Sequence, residues 1–396
     1  MDRILYISYD GMLEPLGQSQ VLAYLKGLAP KNIIHLISFE KVEDWAHQAE
    51  RDRITQEASK AGVIWHPLRY HKRPSAVATA FDIVCGILLG LWLVLRYRLQ
   101  IIHARSYVAS VMALVLKRVT GKKYIFDMRG FWADERVDGG IWLRDGKMFR
   151  VAKGFERRFL LAADHVISLT HAAVKEVKKF DYLQTSMPLF TVIPTCADLS
   201  RFKPLPREEK NCSSFVLGYV GTAGTWYLFD NVAKSFAKLL TIRSDAHFLI
   251  INRGEHTYIR ERLNTAGVPE TAVTIITATH AEVPMKIAQM DAGIFFIKPV
   301  FSKQASAPTK LAEFLGCGVP CLGNAGIGDM ENILEEEKVG VALKSFDNNA
   351  LEEGLKRLLY LTEDPSTQAR CVAAAQQHFS LDEGIARYAT VYKKMR

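Results

Sequence analysis

The sequence predicts an α/β protein made of two doubly wound parallel sheets, one in each half of the chain. Three observations carry this reading. Short apolar runs alternate with longer amphipathic ones, a polar stretch from Lys203 to Asn211 interrupts the alternation, and the same pattern then restarts. With 396 residues the chain is long enough for two domains of ordinary size, each with its own core, and its 49% apolar content excludes a disordered or fibrous protein.

In the first half, Ile4 to Tyr9, Ile33 to Ser38, Ile101 to Ala104, Tyr124 to Asp127, His165 to Leu169 and Phe190 to Ile193 read as strands. Their apolar runs are nearly continuous, as in parallel strands covered by helices on both faces. Lys203-Pro-Leu-Pro-Arg-Glu-Glu-Lys-Asn211 reads as the linker. The second set comprises Phe215 to Val220, His247 to Asn252, Val273 to Thr277, Gly293 to Ile297 and Val319 to Gly323. Gly218-x-x-Gly221-x-x-Gly224 follows a strand but lacks the dinucleotide spacing, so an NAD enzyme is a distant reading.

The net charge of +9 is unevenly placed: residues 1 to 200 carry 28 Lys and Arg against 20 Asp and Glu, and residues 51 to 150 carry 18 against 8. This basic segment contains the most apolar run, Phe81 to Leu95, preceded by Arg69, His71, Lys72 and Arg73 and followed by Arg96 and Arg98. Basic and apolar residues together suggest an anionic membrane surface or a lipid-diphosphate acceptor more than nucleic acid. Fifteen residues that include Asp82 fall short of the roughly 20 needed to span a bilayer. The run is expected either to pack as a helix on the first sheet or to dip into a membrane face. Because the charged start leads directly into a strand, no secretory signal is expected and the protein is placed in the cytoplasm. Cys85, Cys196, Cys212, Cys317, Cys321 and Cys371 show no metal-ligand spacing and read as buried thiols.

Residues 306 to 320, Ser-Ala-Pro-Thr-Lys-Leu-Ala-Glu-Phe-Leu-Gly-Cys-Gly-Val-Pro, join a polar loop to a short helix and a glycine stop. The first turn of such a helix has N–H groups with no intrahelical partner and a positive dipole end, suited to a phosphorylated ligand. Ser306, Thr309 and Lys310 add hydroxyls and a cation, while Glu313 can accept hydrogen bonds from a ligand's hydroxyl pair.

This segment resembles the donor-site signature of the family 4 glycosyltransferases, retaining enzymes of the GT-B fold that use nucleotide sugars. Arg3 to Asp10 with Gly11 and Gly17 looks like the family's first strand and glycine loop, and Val192 to Pro204 is similar to its interdomain segment. Asn324 to Glu331 stands where a Gly-Gly-x-x-Glu loop is expected, and Phe379 to Tyr388 resembles the returning terminal helix. One departure is Ala305, where the family often has a glutamate that contacts the donor sugar. The resemblance implies Rossmann-like domains at 1–200 and 201–378, facing each other across a cleft, and a segment at 379–396 that returns to the first domain.

Stabilising a leaving diphosphate needs preorganised donors and cations. Lys310, the amides near Ser306 to Lys310, where Pro308 has none to give, and the Gly221-Thr222-Ala223-Gly224-Thr225 loop are the candidates. Arg253 would substitute for the basic residue that the family carries in that loop, and Lys298 is a further possibility. Val283 would meet the base through its backbone. In the first half, Asp127 stands where the family commonly has a histidine at the reaction centre, Arg129 could meet an acceptor phosphate, and Gly17 and His103 complete the acceptor contacts. No Asp-x-Asp pair occurs, so neither metal nor other cofactor is expected. The expected activity is metal-independent transfer of a hexosyl or N-acetylhexosaminyl group from a nucleotide sugar, UDP being the preferred nucleotide. The acceptor would be a lipid-linked or surface-polysaccharide precursor, such as one for lipopolysaccharide, and the protein would sit peripherally on the inner membrane face. A non-catalytic partner subunit and a nucleotide-sugar epimerase are the competing readings.

Overall fold

The computed structural model describes residues 1–205, 214–279 and 281–396. The linker residues from Pro206 to Asn211, together with Cys212, Ser213 and His280, lie outside the described residues. Two compact units are formed, one from 1–194 with 381–396 and the other from 195–380. The boundaries therefore fall at 194 and 381, where the sequence suggested 200 and 379.

In the first unit β1 (Asp2–Ser8), β2 (Asn32–Glu40), β3 (Val63–Arg69), β4 (Ile101–Arg105), β5 (Lys123–Asp127), β6 (His165–Ser168) and β7 (Leu189–Val192) form one parallel sheet in the order β3-β2-β1-β4-β5-β6-β7. In the second unit β8 (Val216–Val220), β9 (His247–Ile251), β10 (Val273–Ile276), β11 (Ala292–Ile294), β12 (Cys321–Asn324) and β13 (Gly340–Leu343) are ordered β10-β9-β8-β11-β12-β13. Strand order reverses between β1 and β4 in one unit and between β8 and β11 in the other. Loops leaving the carboxyl ends on either side of such a reversal diverge and leave a crevice.

β3 and β13 were not anticipated. Pro67 breaks the apolar pattern of β3, but β3 is an edge strand, where a missing N–H leaves no ladder bond unmade. β13 is only Gly-Val-Ala-Leu, too short to show a period, although all four residues are buried.

The apolar run belongs to a longer helix than expected, Ser75–Tyr97. Its Ala76–Tyr97 part is the one segment among the described residues that is long and apolar enough to cross a membrane by length and composition, and 33% of its apolar window is buried. One face packs on the unit: Gly86 and Gly90 let Met112 and Leu116 of the Ser106–Thr120 helix approach closely. Asp82, buried on that face, accepts from the Tyr9 hydroxyl at 2.9 Å and the His71 amide at 3.1 Å. The opposite face exposes Val77, Phe81, Val84, Leu88, Trp92 and Leu95.

The terminal Leu381–Lys394 helix packs into the first unit, where the Tyr388 hydroxyl donates to Asp127 Oδ2 at 2.7 Å and the Tyr392 hydroxyl lies 2.8 Å from His103 Nδ1. Arg396 pairs with Asp2 at 2.9 Å. Asp127 is fully buried; burial raises its pKa, but Arg129 and His103 outweigh that effect and leave it below the usual value. Tyr388→Phe keeps the ring and removes the donor, so it is expected to cost about 1.5–3 kcal/mol, the scale of a hydrogen bond to a charged group. The check is the urea midpoint at pH 7; an unchanged midpoint would show that this bond does not hold the helix.

Candidate functional site

The second unit gathers most of the predicted site residues at its own reversal, beyond the carboxyl ends of β8 and β11. Gly221, with φ of 91°, turns the chain immediately after β8. Its missing Cβ leaves room for Lys310, whose Cε would otherwise lie 3.1 Å away. The Asn252 side chain donates to Gly221 O at 3.0 Å and to Glu255 Oε2 at 2.8 Å. The Glu255 carboxylate in turn accepts from the amides of Ala223 at 2.8 Å and Gly224 at 3.0 Å. Residues 226 to 228 then pair with the segment after β11, through Lys298 N to Trp226 O at 3.0 Å and Leu228 N to Phe296 O at 2.9 Å.

Lys310 is the second residue of the Thr309–Gly316 helix, which starts after Pro308. Its ammonium lies 3.4 Å from both the Tyr219 hydroxyl and Thr222 O, and over the Tyr227 ring at 3.5 Å from the centroid. Burial lowers its pKa to about 7, against the opposing pull of Glu313 and Glu255. Burial likewise raises Glu313 to about 7, with Lys310 and Arg201 opposing. A lysine and a glutamate are thus poised near neutrality at a helix start whose first amides have no intrahelical partner. An anion placed there would restore the ammonium and use those amides.

Thr309 and Ser306 flank Lys310 and are partly exposed; Thr222 contributes its carbonyl rather than its hydroxyl. Val283 opens the Val283–Ala288 helix, partly buried, with its amide bonded to Thr279 O at 3.2 Å. Arg253 and Lys298 are exposed at strand ends beside the glycine loop, next to Asn252 and Ile297 respectively. The loop itself differs from expectation: the Ala223 and Gly224 amides are occupied by Glu255, so they are not free donors for a ligand.

Two first-unit assignments are overturned by burial. Asp127 and His103 are wholly enclosed beneath the terminal helix, bonded to Tyr388 and Tyr392, so neither can reach a sugar or an acceptor. Gly17 is also buried, and a side chain there would collide with the Gly11 carbonyl, so its role is close packing. Arg129 keeps a small exposed part of its side chain 4.0 Å from Asp127 and serves chiefly to balance that charge.

Sequence reasoning missed Asn252 and Glu255, which act on a loop about thirty residues away, and the dipeptide Trp226-Tyr227. Lys303, buried, stands over the Trp226 ring at 3.8 Å just as Lys310 stands over Tyr227. Two adjacent aromatic residues therefore seat two lysines where no loop arginine is present. The available signal was the aromatic pair directly after the glycine loop.

Comparison with known proteins agrees with this geometry. Residues 201–378, a stretch that lies within the second unit, match the family described as Glycosyl transferases group 1. A GDP-mannose-dependent monoacylated alpha-(1-6)-phosphatidylinositol monomannoside mannosyltransferase from Corynebacterium glutamicum is 23% identical over 224 residues, covering 53% of this chain and 56% of that protein. The match thus spans about half the length of that relative. Sucrose-phosphate synthase from Thermosynechococcus elongatus has a TM-score of 0.73 at 14% identity, over 100% of this chain and 99% of that one. Anabaena HepE, solved in complex with UDP-glucose, has a TM-score of 0.67 at 16% identity, over 99% of each chain. These likenesses establish the two-domain GT-B fold.

The titration of Lys310 gives the site a pH signature. In the free protein its pKa is about 7; a bound anion raises it, so above pH 7 binding takes up a proton and weakens as pH rises. Pyrophosphate affinity is expected to fall by roughly tenfold per pH unit from pH 7 to 9, and Lys310→Met is expected to flatten the profile while lowering affinity at pH 7. Calorimetric titration measures both; a slope unchanged in the variant would remove Lys310 from the anion site.

Proposed function

We propose that the chain is a retaining, metal-independent glycosyltransferase. It moves a hexosyl or N-acetylhexosaminyl group from a nucleotide-diphosphate sugar, with UDP as the nucleotide, to a lipid-linked or surface-polysaccharide precursor on the cytoplasmic face of the membrane. The observation that carries the reading is the Lys310 ammonium, buried at a helix start beside the glycine loop of a group 1 glycosyltransferase domain. As the anomeric bond breaks, negative charge develops on the leaving diphosphate. Lys310 and the amides at the start of its helix meet that charge, with Lys303 as the second cation and Arg253 and Lys298 as exposed contributors. Glu313 accepts from the ribose hydroxyls, and the residues at Val283 border the base.

Enclosure of Asp127 bears on the proton. With that carboxylate inaccessible, the departing diphosphate oxygen takes the proton of the attacking acceptor hydroxyl, which enters from the same face as the leaving group, and no protein nucleophile is required. The name of the Corynebacterium relative supports an acylated lipid acceptor and points to GDP as the competing nucleotide, while HepE supports UDP. Ala305, buried where the family glutamate would stand, keeps the partner-subunit reading in view.

The test is thermal stabilisation by UDP- and GDP-sugars in EDTA. A saturating donor at a hundred times its Kd is expected to add about 2.7 kcal/mol, and Lys310→Met to remove it. The same donor is then supplied with membrane lipid extract, and the product anomer is read by NMR. An inverted anomer would rule out retention. Nucleotide binding without transfer would favour the partner subunit, and conversion of the sugar with no acceptor would favour the epimerase. No stabilisation by any nucleotide would overturn the donor site itself.

A further inference from the structure

The first unit contains an apolar pocket of about 150 Å³ that the donor chemistry does not use. Its walls come from Ile83 on the Ser75–Tyr97 helix, Val108 and Val111 on the Ser106–Thr120 helix, Trp132, Trp142 and the Lys147–Ala162 helix, including Phe155. Tyr107 shows the pocket only its ring, because its hydroxyl is turned inward to Glu156 at 2.5 Å. Every side chain lining it is apolar or aromatic, so it offers water few hydrogen-bond partners and suits a small hydrocarbon group.

Met148 and Val151 line the pocket and are also exposed, so the pocket opens at the surface between them. Ile141 and Leu143 are exposed nearby in the chain, interleaved with exposed Arg144, Lys147 and Arg150. Ile83 connects this mouth to the helix whose outer face exposes Phe81, Val84 and Leu88. Apolar residues set among cations fit a molecule with a hydrocarbon tail and an anionic head, and a flat bilayer alone gives no reason for a concave pocket.

We propose that this pocket holds a segment of the hydrocarbon tail of the acceptor lipid, with the lipid's phosphate against Arg144, Lys147 and Arg150. The inference deepens the lipid-acceptor reading above and rests on it for naming the lipid as acceptor. The exposed stripe on the Ser75–Tyr97 helix lies against the membrane from which that lipid is drawn.

The test uses the full chain and dodecyl phosphate below its micelle concentration, with inorganic phosphate as the headgroup control. Binding is read by tryptophan fluorescence, to which Trp132 and Trp142 contribute from the pocket wall. Ala152→Phe fills the pocket, and Met148→Arg places a charge at its exposed mouth without touching the core. The expected result is saturable binding of dodecyl phosphate but not phosphate, weakened by about tenfold or more in both variants, with the UDP-sugar thermal shift unchanged. Binding that survives both variants, or no binding by the wild type, overturns the pocket. Tail binding that both variants abolish in a protein showing no UDP-sugar shift supports the pocket while the donor reading fails, so the two failures are separable.

Discussion

In each unit, the loop after the first strand of the reversal is held by a carboxylate from the end of the neighbouring strand or just beyond it. Glu40, the last residue of β2, accepts from the amides of Met12 at 2.9 Å and Leu13 at 3.1 Å, and Glu255, following β9, does the same for Ala223 and Gly224. The constraint is electrostatic and steric together. Turning sharply out of a parallel strand strips amides of their ladder partners, and buried amides must find acceptors. Glycine permits the turn, but a glycine turn alone has many conformations; two hydrogen bonds to one carboxylate select one. The arrangement recurs in two units whose sequences show no evident repeat, so it follows from the strand order rather than from shared residues.

Lys310 depends on that fixed loop. An ammonium with so little water around it loses hydration, and the protein returns only part of this through the Tyr219 and Tyr227 rings and the Thr222 carbonyl. The resulting pKa near 7 records the shortfall. A site that under-solvates its own cation is one that a multiply charged anion completes, and the aromatic seats keep the charge in position meanwhile. Lys303 on Trp226 repeats the device with a different ring.

Legibility in the sequence followed the range of the interactions. Strands with unbroken apolar runs, such as β1 and β4, were readable because covering both faces of a sheet leaves a local pattern. β3 and β13 were not, one because Pro67 and half-exposed positions disguise an edge strand, the other because four residues carry no period. The stretch from Ser306 to Pro320 declared its chemistry locally, since loop, helix start and cation are contiguous. Glu255 and Asn252 did not, because what they fix lies in another loop. Asp127 was placed correctly at a strand's carboxyl end and given the wrong surroundings: the tyrosine that covers it comes 261 residues later. The apolar helix showed its hydrophobicity but not its two faces, which depend on Gly86, Gly90 and Asp82 meeting partners from other elements.

The terminal helix completes the first unit only after the whole second unit has passed along the chain. During synthesis on the ribosome, β1 to β7 emerge first, yet Asp127 and His103 lack Tyr388 and Tyr392 until the last segment appears. The second unit, whose residues from 195 to 380 are continuous, has everything it needs earlier. Order of translation and order of completion therefore run in opposite directions, and the nascent first unit must carry an exposed ionic cluster, rather than a finished core, through most of its own production.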